Sequence, residues 1–94
     1  MRISTHPGEV LREEYMQPLG LSSNALSLAL HVPVTRISEI VKERRGVTAD
    51  TAARLARYFG TSARFWLNLQ SAHDLSLVEA KKAKELSKIE RGAA

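Results

Sequence analysis

Cysteine is missing from the 94 residues, so neither a disulfide framework nor a thiolate metal site can be built. Histidine is scarce. His6, His31 and His73 are scattered with no His-x-x-x-His pair, which argues against a metal site and for turn or surface positions. No apolar run approaches membrane-spanning length, and Met1-Arg2-Ile3-Ser4-Thr5-His6-Pro7 lacks the apolar stretch of a signal peptide. A soluble, cytoplasmic protein with no membrane partner is expected. The chain also has no Gly-x-Ser-x-Gly elbow and no glycine-rich phosphate loop. Glu13 and Glu14 are adjacent, but neighbouring helical residues point about 100° apart, too divergent for paired acid–base work. Neither an enzyme nor a cofactor is expected.

Strand-like alternation is absent as well. Apolar residues recur at helical spacing almost throughout, so the fold class is all-α. The length suits a single domain over 1–94, with a core over about 6–75 and a polar helical extension over 76–94. The first helix begins near Pro7, whose missing N–H does no harm at a first helical position. It carries Val10, Leu11 and Tyr15 inward and ends before Pro18, and Leu19-Gly20-Leu21 is a turn. Ser22 caps a second helix with Ala25, Leu26, Ala29 and Leu30 inward. The pattern stops at His31, and Pro33 fits the first turn of a third helix that buries Ile37, Ile40 and Val41 and breaks at Gly46. Thr48 and Gly60 bracket a fourth helix with Ala52, Leu55, Ala56 and Phe59 inward. Thr61 or Ser62 caps a fifth, "ARFWLNLQSAHDL". Phe65 and Trp66 read as core or dimer-seam residues rather than a stacking platform for single strands.

Charge is unevenly spread. Fourteen basic against ten acidic residues give a net charge of +4 and a pI near 9.9, compatible with a polyanionic partner without requiring one. Residues 22–60 hold the largest basic excess, and within them lies "SSNALSLALHVPVTRISEIVKERR" (22–45). With Ile37 at the centre of the buried face, helical steps place Thr35, Glu39 and Lys42 opposite it, with Arg36 and Ser38 flanking. Such a face offers short donors and acceptors with little bulk, as a helix entering a major groove needs. Ser22, Ser23 and Asn24 supply hydroxyls and an amide at the start of the preceding helix, where free N–H groups favour phosphate. Arg44 and Arg45 can reach the backbone and add sequence-independent affinity. A solvated face on a plain helical bundle accounts for the same pattern, so both readings stand at this point.

The spacing of "LGLS" to "ISEIV" resembles the helix-turn-helix of the phage-repressor (Cro/C1, Xre-type) class. Beyond that, "HPGEVLREE" (6–14), "PLGLS" (18–22), "RISEIVKERRGVTADTAARLARYFGTS" (36–62) and "FWLNLQ" (65–70) together resemble the HigA antitoxins of type II toxin–antitoxin modules, over about three quarters of the chain. The resemblance implies a five-helix, lambda-repressor-like (Xre-type) core with a C-terminal helical extension, a homodimer on a palindromic double-stranded operator, and repression of its own operon. It also implies a cognate toxin that is a small RelE-like mRNA nuclease of HigB type. It places phosphate contacts at Ser22 and Ser23, base reading at Val34, Thr35, Ser38 and Glu39 with Arg36 beside them, and backbone contacts at Arg44 and Arg45. Lys42 joins this DNA-binding set from its place on the outer face.

The chain departs from the family pattern at four positions. His31 stands where glycine is common in the turn, and Glu43 where glycine often follows the third helix. Ala63 stands where proline is frequent, and His73 where tyrosine is. One helix reads too few base pairs to discriminate, so two copies about 34 Å apart are expected. Trp66, Leu69, Leu75 and Val78 are the expected dimer surface. A stand-alone Xre-family repressor would need the same operator-binding residues, and a non-catalytic interaction bundle remains the alternative of a different class.

Overall fold

The computed structural model describes residues 2–92; Met1 and the last two residues of the expected extension, 93–94, lie outside them. Helix α1 (Pro7–Val10) runs directly into a π-helical segment (Leu11–Met16), followed by α2 (Ser23–Leu30), α3 (Val34–Val41), α4 (Ala49–Phe59), α5 (Ala63–Lys81) and a short α6 (Ala83–Ser87). No strand forms among the described residues, in keeping with the all-α reading. Helix α5 does not stop near residue 75 but continues to Lys81.

The core is assembled from one stripe of each helix except α6, which buries no residue. Leu11, Leu26, Ile37, Ile40, Ala52, Leu55 and Trp66 are fully buried. The π-helical stretch serves this directly: its wider turn sets Leu11 and Met16, five residues apart, both inward. Trp66 is fully buried rather than at a seam, and its indole Nε1 donates to Thr61 Oγ1 at 2.8 Å. Tyr15 and Phe65 pack against it with ring centroids 5.0 Å away. That leaves Ser62 as the cap of α5, accepting from the Phe65 N–H at 3.0 Å.

Helix α2 turns a different face inward than its apolar residues suggest. Leu26, Ser27 and Leu30 are buried, while Ala25, Leu28 and Ala29 face solvent. Ser27 tolerates burial because its hydroxyl donates to the Asn24 carbonyl at 2.7 Å. Alanine is small enough to sit on either side of a helix, so its position does not define the stripe.

Gly8 lets α1 approach the end of α3. A Cβ there would lie 1.8 Å from the Ile40 carbonyl oxygen, so any side chain would force the two elements apart. The residue before Pro7 is also specialised. His6 is buried, and its Nδ1 accepts from the Gly8 N–H at 2.8 Å as the cap of α1. Its ring meets His73 edge-on at 4.8 Å, so two of the three scattered histidines come together. Ser4 completes the clasp, donating its N–H to Ser76 Oγ at 2.9 Å while its carbonyl lies 2.7 Å from His73 Nδ1.

Candidate nucleic-acid interface

The expected site residues lie on α2, α3 and the turns that end them. Ser22 is extended (φ −80°, ψ 162°) and its Oγ accepts from the Ala25 N–H at 3.0 Å. The hydroxyl caps one orphan donor of the first turn and leaves its neighbours available. Ser22 and Asn24 are exposed, and Ser23 is partly so.

The chain then reverses at His31, which adopts the left-handed conformation (φ 60°, ψ 46°) in the glycine-like role. Val32 N–H donates to the Ser27 carbonyl at 3.0 Å and His31 N–H to the Leu28 carbonyl at 3.3 Å, the paired bonds of a Schellman motif. Arg54 from α4 donates to the Leu30 carbonyl at 2.8 Å, placing a cation at the negative end of α2.

Pro33 flanks α3 instead of entering it. Its φ of −62° is helical but its ψ of 145° is extended, so Val34 is the first helical residue. Proline has no side-chain acceptor, so the first-turn amides of α3 have no side-chain cap. Thr35, Ser38, Glu39 and Lys42 follow at spacings of three and four along the side away from the buried Ile37 and Ile40. Thr35 and Lys42 are exposed, Val34 is 42% exposed, and Ser38, Glu39 and Arg36 are intermediate.

Helix α3 ends earlier than the glycine at 46 suggested. Glu43 takes the left-handed conformation (φ 62°), with Glu43 N–H donating to the Ile40 carbonyl and Arg44 N–H to the Glu39 carbonyl, both at 2.9 Å. The reversal after α3 thus copies the one after α2 with another non-glycine residue. Gly46 marks a close approach instead: a Cβ there would meet the Gln70 amide at 3.0 Å and push it by a few tenths of an ångström. Gln70 Oε1 in turn accepts from the Val47 N–H at 2.7 Å, pinning the arginine-bearing loop to α5.

The cations on this face are partly neutralised from within. Arg45 pairs with Glu39 at 2.6 Å, and Arg36 pairs with Asp50 at 2.6 Å. Arg54 binds the same Asp50 oxygen at 2.9 Å. The hydrogen bonds from Arg36, then Arg54, hold the Asp50 carboxyl below the usual carboxylate range. Among the described residues, Lys42 and Arg44 form no ion pair. Asp50, Arg54 and Gln70 had no role in the sequence reading. The (i, i+4) spacing of Asp50 and Arg54 was the available signal for one pair, whereas the Arg36 and Gln70 contacts join distant residues.

Two helices joined by a tight left-handed turn, the second with an exposed polar face, define a helix-turn-helix protein. Residues 13–66 match the family model described as "Helix-turn-helix". The virulence-associated protein I of Dichelobacter nodosus is 62% identical over 77 residues, covering 82% of this chain and 71% of that protein. The Pseudomonas aeruginosa antitoxin HigA, solved with the higBA promoter, superposes with a TM-score of 0.91 at 44% identity, covering 95% of this chain and 98% of that one. The antitoxin GraA in complex with its operator gives a TM-score of 0.93 at 43% identity, covering 100% of this chain and 95% of that one. The chain belongs to the helix-turn-helix family and, within it, to the HigA type. No helix among the described residues is long and apolar enough to cross a membrane.

Proposed function

We propose that this chain is a sequence-specific DNA-binding antitoxin that represses its own operon and neutralises a cognate RelE-like mRNA-nuclease toxin. The observation that carries the DNA reading is the outer face of α3. Thr35 and Lys42 are exposed on it, Ser38 and Glu39 partly so, and Arg36, Arg44 and Arg45 surround it. In this reading α3 enters the major groove, where Val34, Thr35, Ser38 and Glu39 meet base edges. Glu39 accepts from a cytosine amino group once Arg45 turns to phosphate. The hydroxyls and free amides of Ser22 and Ser23 receive a phosphate at the start of α2. Arg44, Arg45 and Lys42 add affinity that does not depend on sequence. The similarity to HigA solved with a promoter and to GraA solved with its operator supports the same reading.

Dimerisation on a palindromic operator belongs to the proposal. Leu75 (59% exposed) and Val78 (43% exposed) on α5, with partly buried Leu69, remain as its candidate surface once Trp66 is assigned to the core. The toxin arm rests on family membership. The decisive experiment is titration of wild-type protein against a duplex enriched from a randomised pool and against random-sequence DNA, at several salt concentrations. Arg44→Ala with Arg45→Ala is expected to weaken both and flatten the salt slope by about two units. Thr35→Ala is expected to lower the preference for the enriched duplex. Equal loss on both duplexes from Thr35→Ala refutes the groove assignment. Co-expression with the product of the adjacent reading frame tests the toxin arm: growth arrest by that product alone and rescue by this chain are the expected results, and a harmless product refutes the toxin arm.

A further inference from the structure

We infer that Asp50, which lies on α4 outside the DNA-reading helix, is a specificity-determining positioning residue that holds the Arg36 guanidinium at the groove face and withholds it from indiscriminate phosphate contact. The inference rests on the DNA-binding reading above. Its basis is a chain of contacts that joins α2, α3 and α4. Asp50 Oδ2 accepts from Arg36 Nη1 at 2.6 Å and from Arg54 Nε at 2.9 Å. Arg54 Nη1 donates onward to the Leu30 carbonyl at 2.8 Å, the last residue of α2. One carboxylate oxygen therefore ties α3 to α4, and through Arg54 to the end of α2.

The surroundings of Asp50 explain why the carboxylate matters. Arg36, Arg45, Gly46, Thr48, Asp50 and Thr51 line one shallow cleft of about 260 Å³ between α3 and the start of α4. Two guanidinium groups and two threonines beside a helix N-terminus would form a general anion trap if the carboxylate were neutral. Asp50 is an internal anion in that cleft. It occupies part of Arg36's donor fork, and an arginine fork held at one end can present the rest in one orientation. The Asp50 side chain is 56% exposed, which leaves the pair open to exchange, and a phosphate that takes Arg36 does so at the loss of one charge-assisted bond. Non-operator DNA must compete against that bond, whereas the operator can use Arg36 where it already stands.

The test is Asp50→Asn, alone and with Arg36→Ala, measured on the enriched duplex and on random DNA across a salt series. Asp50→Asn is expected to raise affinity for random DNA several-fold and to steepen its salt slope by about one unit, as one more phosphate is neutralised. The ratio of enriched to random binding is expected to fall. In the Arg36→Ala background the slope change is expected to vanish. A structural role would lower binding to both duplexes together and leave the salt slope unchanged. A gain that persists without Arg36 would reflect net charge alone and overturn the inference. Arg36→Lys, which keeps the charge but loses the fork, provides a second arm and is expected to lower the ratio without Asp50 being touched. An unchanged ratio in Asp50→Asn and Arg36→Lys overturns the inference while leaving DNA binding intact. Absence of any preference in the wild-type protein removes the functional reading itself.

Discussion

Where α1 and the π-helical segment meet α3 and α5, contacts are made by buried and partly buried groups. Trp66 is enclosed by Tyr15 and Phe65, Gly8 abuts the Ile40 carbonyl, and the largely buried His6 caps its helix. On the outer face of α3, contacts are ion pairs between half-exposed side chains, such as Arg45–Glu39 with both partners 45% exposed. Buried apolar contacts survive salt and have no outside competitor. Exposed ion pairs are screened, contribute about 0–1 kcal/mol, and can be traded for a phosphate. The first region keeps the helices in place, and the second holds its cations in weak pairs that a phosphate must compete with.

The largest expected effect lies on the packed side. Trp66→Ala removes the biggest buried side chain and the Thr61 partner, and is expected to cost about 3–5 kcal/mol. Chemical denaturation measures it directly. A loss below about 1 kcal/mol would mean that the two regions do not differ as described. Gly8→Ala comes next, at about 1–3 kcal/mol, because the new methyl meets a backbone carbonyl that cannot rotate away.

The clasp also predicts a pH response. Burial first, and the neighbouring His73 second, lower the His6 pKa, with Glu43 and Asp74 opposing. The unfolded chain therefore takes up its proton before the folded one does. Stability is full above the ordinary histidine value of about 6.5 and declines as pH falls through it toward the lower folded value. Protonation of Nδ1 would also end its role as acceptor for the Gly8 N–H. His6→Asn, which keeps a capping oxygen, is expected to flatten this part of the stability profile. An unchanged profile would place the acid sensitivity elsewhere.

The same contrast explains what could be read from the sequence. Ser22 and Thr48 were legible because N-capping is a local exchange between one side chain and the next turn, and Gly60 because the left-handed residue that closes a helix favours glycine. The reversal at residues 31–33 was legible through proline. The inward face of α2 was misassigned because Ala25 and Ala29 carry too little side chain to reveal their direction, and Ser27 satisfies its hydroxyl within its own helix. Trp66 was left between core and seam, since an aromatic at helical spacing suits both until the π-helical segment is packed against it. The residue pattern alone put the end of α3 at Gly46 because a glutamate took the left-handed position, which only the family resemblance had marked as glycine-like. Asp50 and Gln70 went unassigned because their partners lie 14 and 23 residues away, a distance over which periodicity carries no information.

The smallest expected change in stability gives the sharpest form of the comparison. Glu39→Gln removes the partner of Arg45 without altering the shape of α3, and an exposed pair of this kind contributes about 0.2–1 kcal/mol. The melting temperature is therefore expected to move little. DNA binding is expected to change in two opposite ways: affinity for random duplex rises as Arg45 is released, and any preference resting on a carboxylate at the base edge falls. The variant separates holding the fold from reading DNA. A stability loss comparable to that of Gly8→Ala would show that the pair helps to hold the fold, and the outer face would then be no freer to exchange partners than the core beneath it.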